Sequence, residues 1–255
     1  SAPFPIAYGK EDLEAGAHAI SSLEAATAAL KKGEVDVLVT APIHKKSIQS
    51  DTFKFPGHTD YLNEQLEGDS LMFMVTDSLK VALMSDHIPL KEVVGYLNEE
   101  KINAKIASLE KSLSQDFGIQ RPKIAVLGIN PHTGDNGVIG DEDDTLLTPV
   151  IKKWNEKGSL VFGPYAADGF FGNQRYTKFD GVLATYHDQG LIPFKTLSFG
   201  QGVNFTAGLS HVRTSPDHGT AFDIAGKGVA DASSFSEAVY TARAIFLQRK
   251  EVNFS

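Results

Sequence analysis

No cysteine occurs in the 255 residues, which excludes disulfides, thiolate metal ligands, iron–sulfur clusters and a cysteine nucleophile at once. Any metal must therefore be held by His, Asp or Glu. Apolar runs are short and none approaches the ~18 residues needed to cross a bilayer, so no membrane span is expected. Basic side chains are the minority, 24 against 32 acidic, and a formal net charge of −8 does not attract polyanions. Nucleic acid is thereby disfavoured as a partner. The first six residues, Ser-Ala-Pro-Phe-Pro-Ile, lack the basic start and apolar stretch of a signal peptide, and a cytoplasmic location is expected. Neither a GxGxxG nor a Walker pattern appears, so neither a Rossmann nor a P-loop reading is available. What remains is an ordinary globular composition, 42% hydrophobic and 22% charged, sufficient for one large domain or two small ones.

Apolar residues Leu13, Ala17, Ile20, Leu23, Ala26 and Leu30 recur at helical spacing, which predicts a helix from Glu11 to Lys32, stopped by Gly33. Val35 to Thr40 reads as a short buried strand ended by Ala41-Pro42. Leu71 to Val75 and Leu79 to Met84 read as strands around a Thr76-Asp77-Ser78 turn, followed by helical patterns at Leu90 to Leu97 and Ile102 to Leu113. Further strands are expected at Lys123 to Gly128, Leu160 to Gly163, Val182 to Tyr186 and Val203 to Leu209, with a closing helix from Phe235 to Arg249. This alternation predicts an α/β fold with a mainly parallel, helix-covered sheet.

Seven of the eight histidines fall in segments dense in Gly, Pro, Asp, Asn, Ser and Thr; only His18 lies inside an expected helix. His87, His132 and His187 each follow an expected strand, in Ser85-Asp86-His87-Ile88-Pro89, Asn130-Pro131-His132-Thr133-Gly134 and Tyr186-His187-Asp188-Gln189-Gly190. In open α/β sheets ligands gather beyond strand ends. Three neutral imidazoles meeting there would bind Zn²⁺ or a similar ion and leave a position open for substrate; three separate loop histidines bonded to backbone would look the same in sequence. Phe55 to Leu62 reads as a loop opening a short helix, where backbone N–H groups with His58 and Thr59 could hold an anion, or where the helix is simply capped. Lys195, Asn204 and Arg213 would grip a phosphate or carboxylate if grouped, and are ordinary surface if scattered. His218 to Gly228 has the small and polar residues of a nucleotide loop, and equally of a Gly-rich connection.

Gly57-His58-Thr59, Asn130-Pro131-His132-Thr133-Gly134, Tyr186-His187-Asp188-Gln189-Gly190-Leu191 and Arg213-Thr214-Ser215-Pro216-Asp217-His218-Gly219-Thr220-Ala221 together resemble the 4-hydroxythreonine-4-phosphate dehydrogenase (PdxA) family, in the same order over essentially the whole chain. The resemblance implies a two-domain αβα fold like that of isocitrate and isopropylmalate dehydrogenases, with the active site in the interdomain cleft at a homodimer interface. It implies oxidation of 4-phosphooxy-L-threonine by NAD or NADP to a 3-oxo acid that decarboxylates to 3-amino-2-oxopropyl phosphate, in vitamin B6 biosynthesis. One divalent ion per site, Zn, Mg, Co or Mn, falls on His87, His132 and His187. Substrate positions fall on His58, Thr59, Asp168, Lys195, Asn204 and Arg213, with Lys195 or Asp168 the candidate base. The loop resembling the family's adenosine-binding segment supplies His218, Gly219, Thr220, Ala221 and Asp223. His87 and His132 of one subunit are expected to meet His187 of the other.

The corresponding division places residues 1–45 with 205–255 on the cofactor side and residues 46–204 on the metal, substrate and dimerisation side. Family members begin with a further segment, and a chain opening at Ser1 without an initiator methionine is expected to lack it. Within the same fold, an enzyme acting on threonate or erythronate 4-phosphate is the alternative; a metal-dependent hydrolase and a non-catalytic binding module are the alternatives from other classes.

Overall fold

A computed structural model describes residue 5 and residues 7–253. In chain order its first half contains α1 (Leu13–Lys31), β1 (Val37–Val39), α2 (His58–Gln65), β2 (Gly68–Val75), β3 (Lys80–Leu83), α3 (Val93–Tyr96), α4 (Glu99–Gln115) and β4 (Lys123–Leu127). The second half adds α5 (Thr148–Glu156), β5 (Leu160–Tyr165), α6 (Ala167–Gly172), β6 (Gly181–Ala184), α7 (His187–Ser198), β7 (Val203–Leu209), β8 (Val212–Pro216) and α8 (Ser233–Asn253). The strands form one eight-stranded sheet in the order β1-β8-β7-β2-β3-β6-β4-β5.

Alternation along the strands sorts side chains to two buried faces, as the two-residue period of a strand requires. On β4, Ile124 and Val126 pack toward α4, α5 and α8, where Ile106, Leu109, Ile151 and Ala242 meet them. Ala125 and Leu127 pack toward Phe170 of α6 and Leu191 and Phe194 of α7. Burial on both faces explains why these strands read as continuous apolar runs. A third cluster joins Ile20, Leu23 and Leu30 of α1 to Leu38 of β1 and Leu62 of α2. Asp12 caps α1 by accepting from the backbone N–H of Glu14 (2.8 Å) and Ala15 (3.4 Å).

The structure departs from the sequence expectation at four points. The sheet is mixed: β1–β8, β3–β6, β6–β4 and β4–β5 are parallel, but β8–β7, β7–β2 and β2–β3 are antiparallel. Val212–Pro216 is a buried strand outside the expected set, its sequence Val-Arg-Thr-Ser-Pro having no apolar pattern. His187–Ser198 is a helix despite Pro193. Leu13 is exposed, and α1 instead buries Gly16, Ile20, Leu23, Thr27 and Leu30. The expected division between residues 1–45 with 205–255 and residues 46–204 falls at the β2–β7 pairing, where the sheet runs on without interruption; residues 1–4, 6, 254 and 255 lie outside the described residues.

Three antiparallel steps between β8 and β3 mean that β1 and β8 run opposite to β3, β6, β4 and β5. The sheet therefore has two parallel flanks of opposite direction and an antiparallel centre. Among the described residues no helix is long and apolar enough to cross a membrane.

Candidate active site

Over the antiparallel centre, on the face that α7 covers, lies a cleft of about 360 Å³. Its floor is one row of side chains on neighbouring strands, Met72 and Met74 of β2, Asn204 of β7, and Arg213 and Ser215 of β8. Its walls are the loop after β1 (Ala41, Pro42, Ile43, Lys45), the start of α2 (Gly57 to Asp60), and the loop after β8 (Pro216 to Gly219). His87 and the α7 residues His187, Leu191 and Lys195 close it.

Arg213 dominates the electrostatics. Its residue is 3% exposed, and its guanidinium donates from Nε (3.1 Å) and Nη2 (2.6 Å) to Thr40 Oγ1 and from Nη1 (3.0 Å) to Thr206 Oγ1. Burial lowers its pKa to about 10, which leaves it charged at neutral pH. Both partners are neutral hydroxyls, so a buried positive charge faces the cleft with no carboxylate in ion-pair contact among the described residues. Such a charge calls for an anionic ligand. His58, beside it, is pushed down to about 3, first by burial and then by the Arg213 charge, and is a neutral imidazole. The N-cap of α2, Gly57, supplies no side-chain cap, so the first backbone N–H groups of the helix, with Thr59, remain available to the cleft. Lys195 Nζ donates to the Asp217 carbonyl (2.9 Å) at the opposite wall.

The histidines behave differently from one another. Because β3, β6 and β4 are consecutive and parallel, the loops carrying His87, His187 and His132 leave the same edge of the sheet. His87 and His187 come together, ring centroids 5.9 Å apart. Partial burial holds His87 below its ordinary range, opposed by the Asp86 carboxylate. His187 Nδ1 lies 2.7 Å from Asp188 Oδ1, and since a carboxylate only accepts, Nδ1 is the donor and the ring is anchored through it. Two adjacent imidazoles, one of them anchored through Nδ1, are a nitrogen donor pair of the kind a divalent ion takes. His132 does not join them: among the described residues no three His, Asp or Glu side chains of one chain form a group able to hold a metal. The sequence expectation is that His187 comes from the other subunit to a His87–His132 pair; within one chain the rings that lie together are His87 and His187. His87 and His187 are the pair, and His132 stands apart.

A hydrogen-bond braid ties these strand ends. Ser85 Oγ donates to the Thr185 carbonyl (2.7 Å), Gln189 Oε1 accepts from Thr185 N (2.8 Å) and Thr185 Oγ1 (2.9 Å), and Gln189 Nε2 donates to the Gly128 carbonyl (2.6 Å). Beyond it, the run 132–137 is left-handed throughout, with φ of 53 at His132, 54 at Thr133, 84 at Gly134, 45 at Asp135, 55 at Asn136 and 86 at Gly137. For non-glycine residues that region costs about 1–2 kcal/mol each.

Of the expected site residues, the cleft collects His58, Thr59, His87, His187, Lys195, Asn204, Arg213, His218 and Gly219. Asp168 lies in α6 beyond β5, outside its lining, as do His132, Thr220, Ala221 and Asp223. On the loop, Ala221 adopts φ 48, and a Cβ added at Gly219 would meet nothing within 4 Å, so the cleft wall is open there. Lys45, Asp60 and the Thr40 and Thr206 hydroxyls are participants that sequence reasoning passed over. Lys45 was findable, since it follows β1 as the chosen histidines follow their strands; the hydroxyl pair depends on β1–β8–β7 pairing.

The chain matches the family described as pyridoxal phosphate biosynthetic protein PdxA over residues 2–242. It is 50% identical over 247 residues to 4-hydroxythreonine-4-phosphate dehydrogenase of Bacteroides thetaiotaomicron, covering 96% of this chain and 68% of that protein. The Sulfurihydrogenibium enzyme of the same name is 44% identical, at 96% and 75% coverage. Among solved structures, 4-hydroxythreonine-4-phosphate dehydrogenase from Klebsiella pneumoniae superposes with a TM-score of 0.81 at 38% identity, covering 93% of this chain and 72% of the other.

Proposed function

The chain belongs to the PdxA family and is an oxidoreductase by that membership, and on this premise we propose that it oxidises 4-phosphooxy-L-threonine in pyridoxine biosynthesis, using NAD or NADP and a divalent metal. The observation that carries this reading is the placement of Arg213, a buried cation with no counter-anion among the described residues, in one cleft with the His87–His187 pair. Arg213, Asn204, Thr59 and the start of α2 bind the anionic ends of the substrate. Neutral His58 adds a hydrogen bond without a second charge to repel Arg213.

His87 and His187 would hold the metal, with His132 of the partner subunit as third ligand. His132 follows β4 and Asp168 follows β5, its parallel neighbour, so one partner loop region would deliver both. The homodimer thus completes the site. A divalent ion there would supply Lewis-acid stabilisation of negative charge on oxygen, and the nicotinamide, with its adenosine end along His218 to Asp223, would supply the hydride acceptor. With the cofactor bound, the substrate carbon would give up a hydride and its hydroxyl a proton, for which Lys195, on the cleft wall, is the candidate base. The 3-oxo acid so formed would lose CO₂ and take up a proton at the carbon the carboxylate leaves, giving 3-amino-2-oxopropyl phosphate. In this scheme residues 1–45 with 205–255 serve the cofactor and residues 46–204 the metal and substrate.

The test is turnover, followed as reduced-cofactor absorbance, with 4-phosphooxy-L-threonine and with threonate and erythronate 4-phosphates, each with NAD⁺ and NADP⁺. Arg213→Met should raise KM for the phosphorylated substrate roughly tenfold to a hundredfold, since a charge-assisted hydrogen bond is worth about 1.5–3 kcal/mol. Faster turnover of a sugar-acid phosphate would reassign the substrate. An unchanged KM in folded Arg213→Met would remove Arg213 from the site.

A further inference from the structure

Asp143 is among the most buried polar residues, 1% exposed, yet it pairs with no Lys, Arg or His among the described residues. It opens a π-helical turn, Asp143–Leu147, ahead of α5. Both carboxylate oxygens are spent on backbone: Oδ1 accepts from Ile129 N (2.8 Å) and Oδ2 from Asn130 N (2.9 Å). The contact is close enough that a Cβ on Gly128 would lie 2.8 Å from Asp143 Oδ1 and 2.9 Å from Thr133 Cγ2. Beside it, Asn130 Nδ2 donates to Glu142 Oε2 (2.6 Å). Ile129 and Asn130 are the last residues before Pro131 and the left-handed run that starts at His132.

A carboxylate buried without a cation is costly, and a β-branched residue such as Thr133 at φ 54 is strained. Two costs side by side, one bonded to the base of the other, are the arrangement expected when a loop must be held in a set geometry for function. We propose that Asp143 is a positioning residue: by capturing the Ile129 and Asn130 N–H groups it clamps the root of the left-handed turn and presents His132, preformed, to the metal site. The inference rests on the reading of His132 as a metal ligand and extends it to a residue two elements away.

The experiment measures Co²⁺ affinity and the visible absorption of bound Co²⁺ in wild type, His132→Ala and Asp143→Asn, the last being isosteric but unable to accept both N–H groups. Loss of a group that orients a metal ligand characteristically weakens metal binding about 10–100-fold. Asp143→Asn should therefore bind Co²⁺ 10–100-fold more weakly, with KM for the phosphorylated substrate unchanged and turnover largely recovered by excess Co²⁺. A merely structural role would lower the melting temperature and leave Co²⁺ affinity and spectrum at wild-type values, which would overturn the proposal. If Asp143→Asn does not fold, Asp143→Glu, which keeps the charge on a longer stem, decides the same way: weakened Co²⁺ binding in folded protein supports the clamp, wild-type affinity rejects it. His132→Ala separates the two claims. Wild-type Co²⁺ binding in His132→Ala removes the ligand assignment and the clamp with it, whereas loss there alongside full affinity in the Asp143 variants removes only the clamp.

Discussion

Arg213 and His58 share one environment and answer to it oppositely, because burial acts against whichever form is charged. Arg213 has a pKa high enough to keep its proton despite a fall to about 10, while His58, driven to about 3, gives its proton up. The consequence for stability has a definite sign. Below the ordinary histidine value of 6.5 the unfolded chain takes up a proton at His58 that the folded chain refuses until near pH 3. Stability from this group is thus constant above 6.5 and falls as pH drops through the window from 6.5 to about 3, with a ceiling of about 1.4 kcal/mol per pH unit. His58→Gln should lose less stability than wild type between about pH 7 and about pH 5 in urea unfolding. Equal losses in both proteins would mean that His58 titrates normally.

At the scale of elements, α7 couples packing to the site, since it carries His187 at its first turn and Lys195 at its last. The helix sits so close to the sheet that a Cβ on Gly190 would lie 2.9 Å from Ala184 Cβ, Leu83 Cδ2 and Val81 Cγ1. None of these is the free end of an exposed side chain; all three belong to the buried core. Gly190→Ala should therefore destabilise by about 1–3 kcal/mol through overpacking, seen as a lowered thermal midpoint. It should also weaken Co²⁺ binding by tilting His187 away from His87. A midpoint equal to wild type would show that α7 can lift without cost, and would loosen the claim that the sheet sets the position of His187.

For the whole molecule, the question is which histidines travel together. If, as proposed, His87 and His187 serve from one chain and His132 from a partner subunit, His132→Ala and His187→Ala homodimers should each be nearly inactive. Mixed, they form heterodimers in which one site collects both substitutions and the other none. Random exchange yields about half heterodimers, so activity should return to roughly a quarter of wild type. A mixture of His87→Ala with His187→Ala should recover nothing, because each site needs both residues from the same chain. Recovery in that second mixture, or verified exchange without recovery in the first, would break the arrangement.

The sequence by itself determined the chemistry available and most of the elements. Absence of cysteine restricted metal ligands to His, Asp and Glu, and the strands whose alternation is unbroken, such as Val203 to Leu209, lie where periodicity puts them. Histidines after strands were legible because strand ends are marked by local Pro, Gly and Asp. Only tertiary structure decided which of those histidines meet. His87 and His187 stand 100 residues apart in the chain, and it is the β3–β6 pairing that sets their rings 5.9 Å from each other. It likewise decided that Arg213 is a buried donor instead of a surface cation, since β8, with a charge and a proline in five residues, carries no strand signal of its own and is recruited by β1 and β7. Local sequence encodes what a segment can bury; which segment covers it is a property of the assembled sheet.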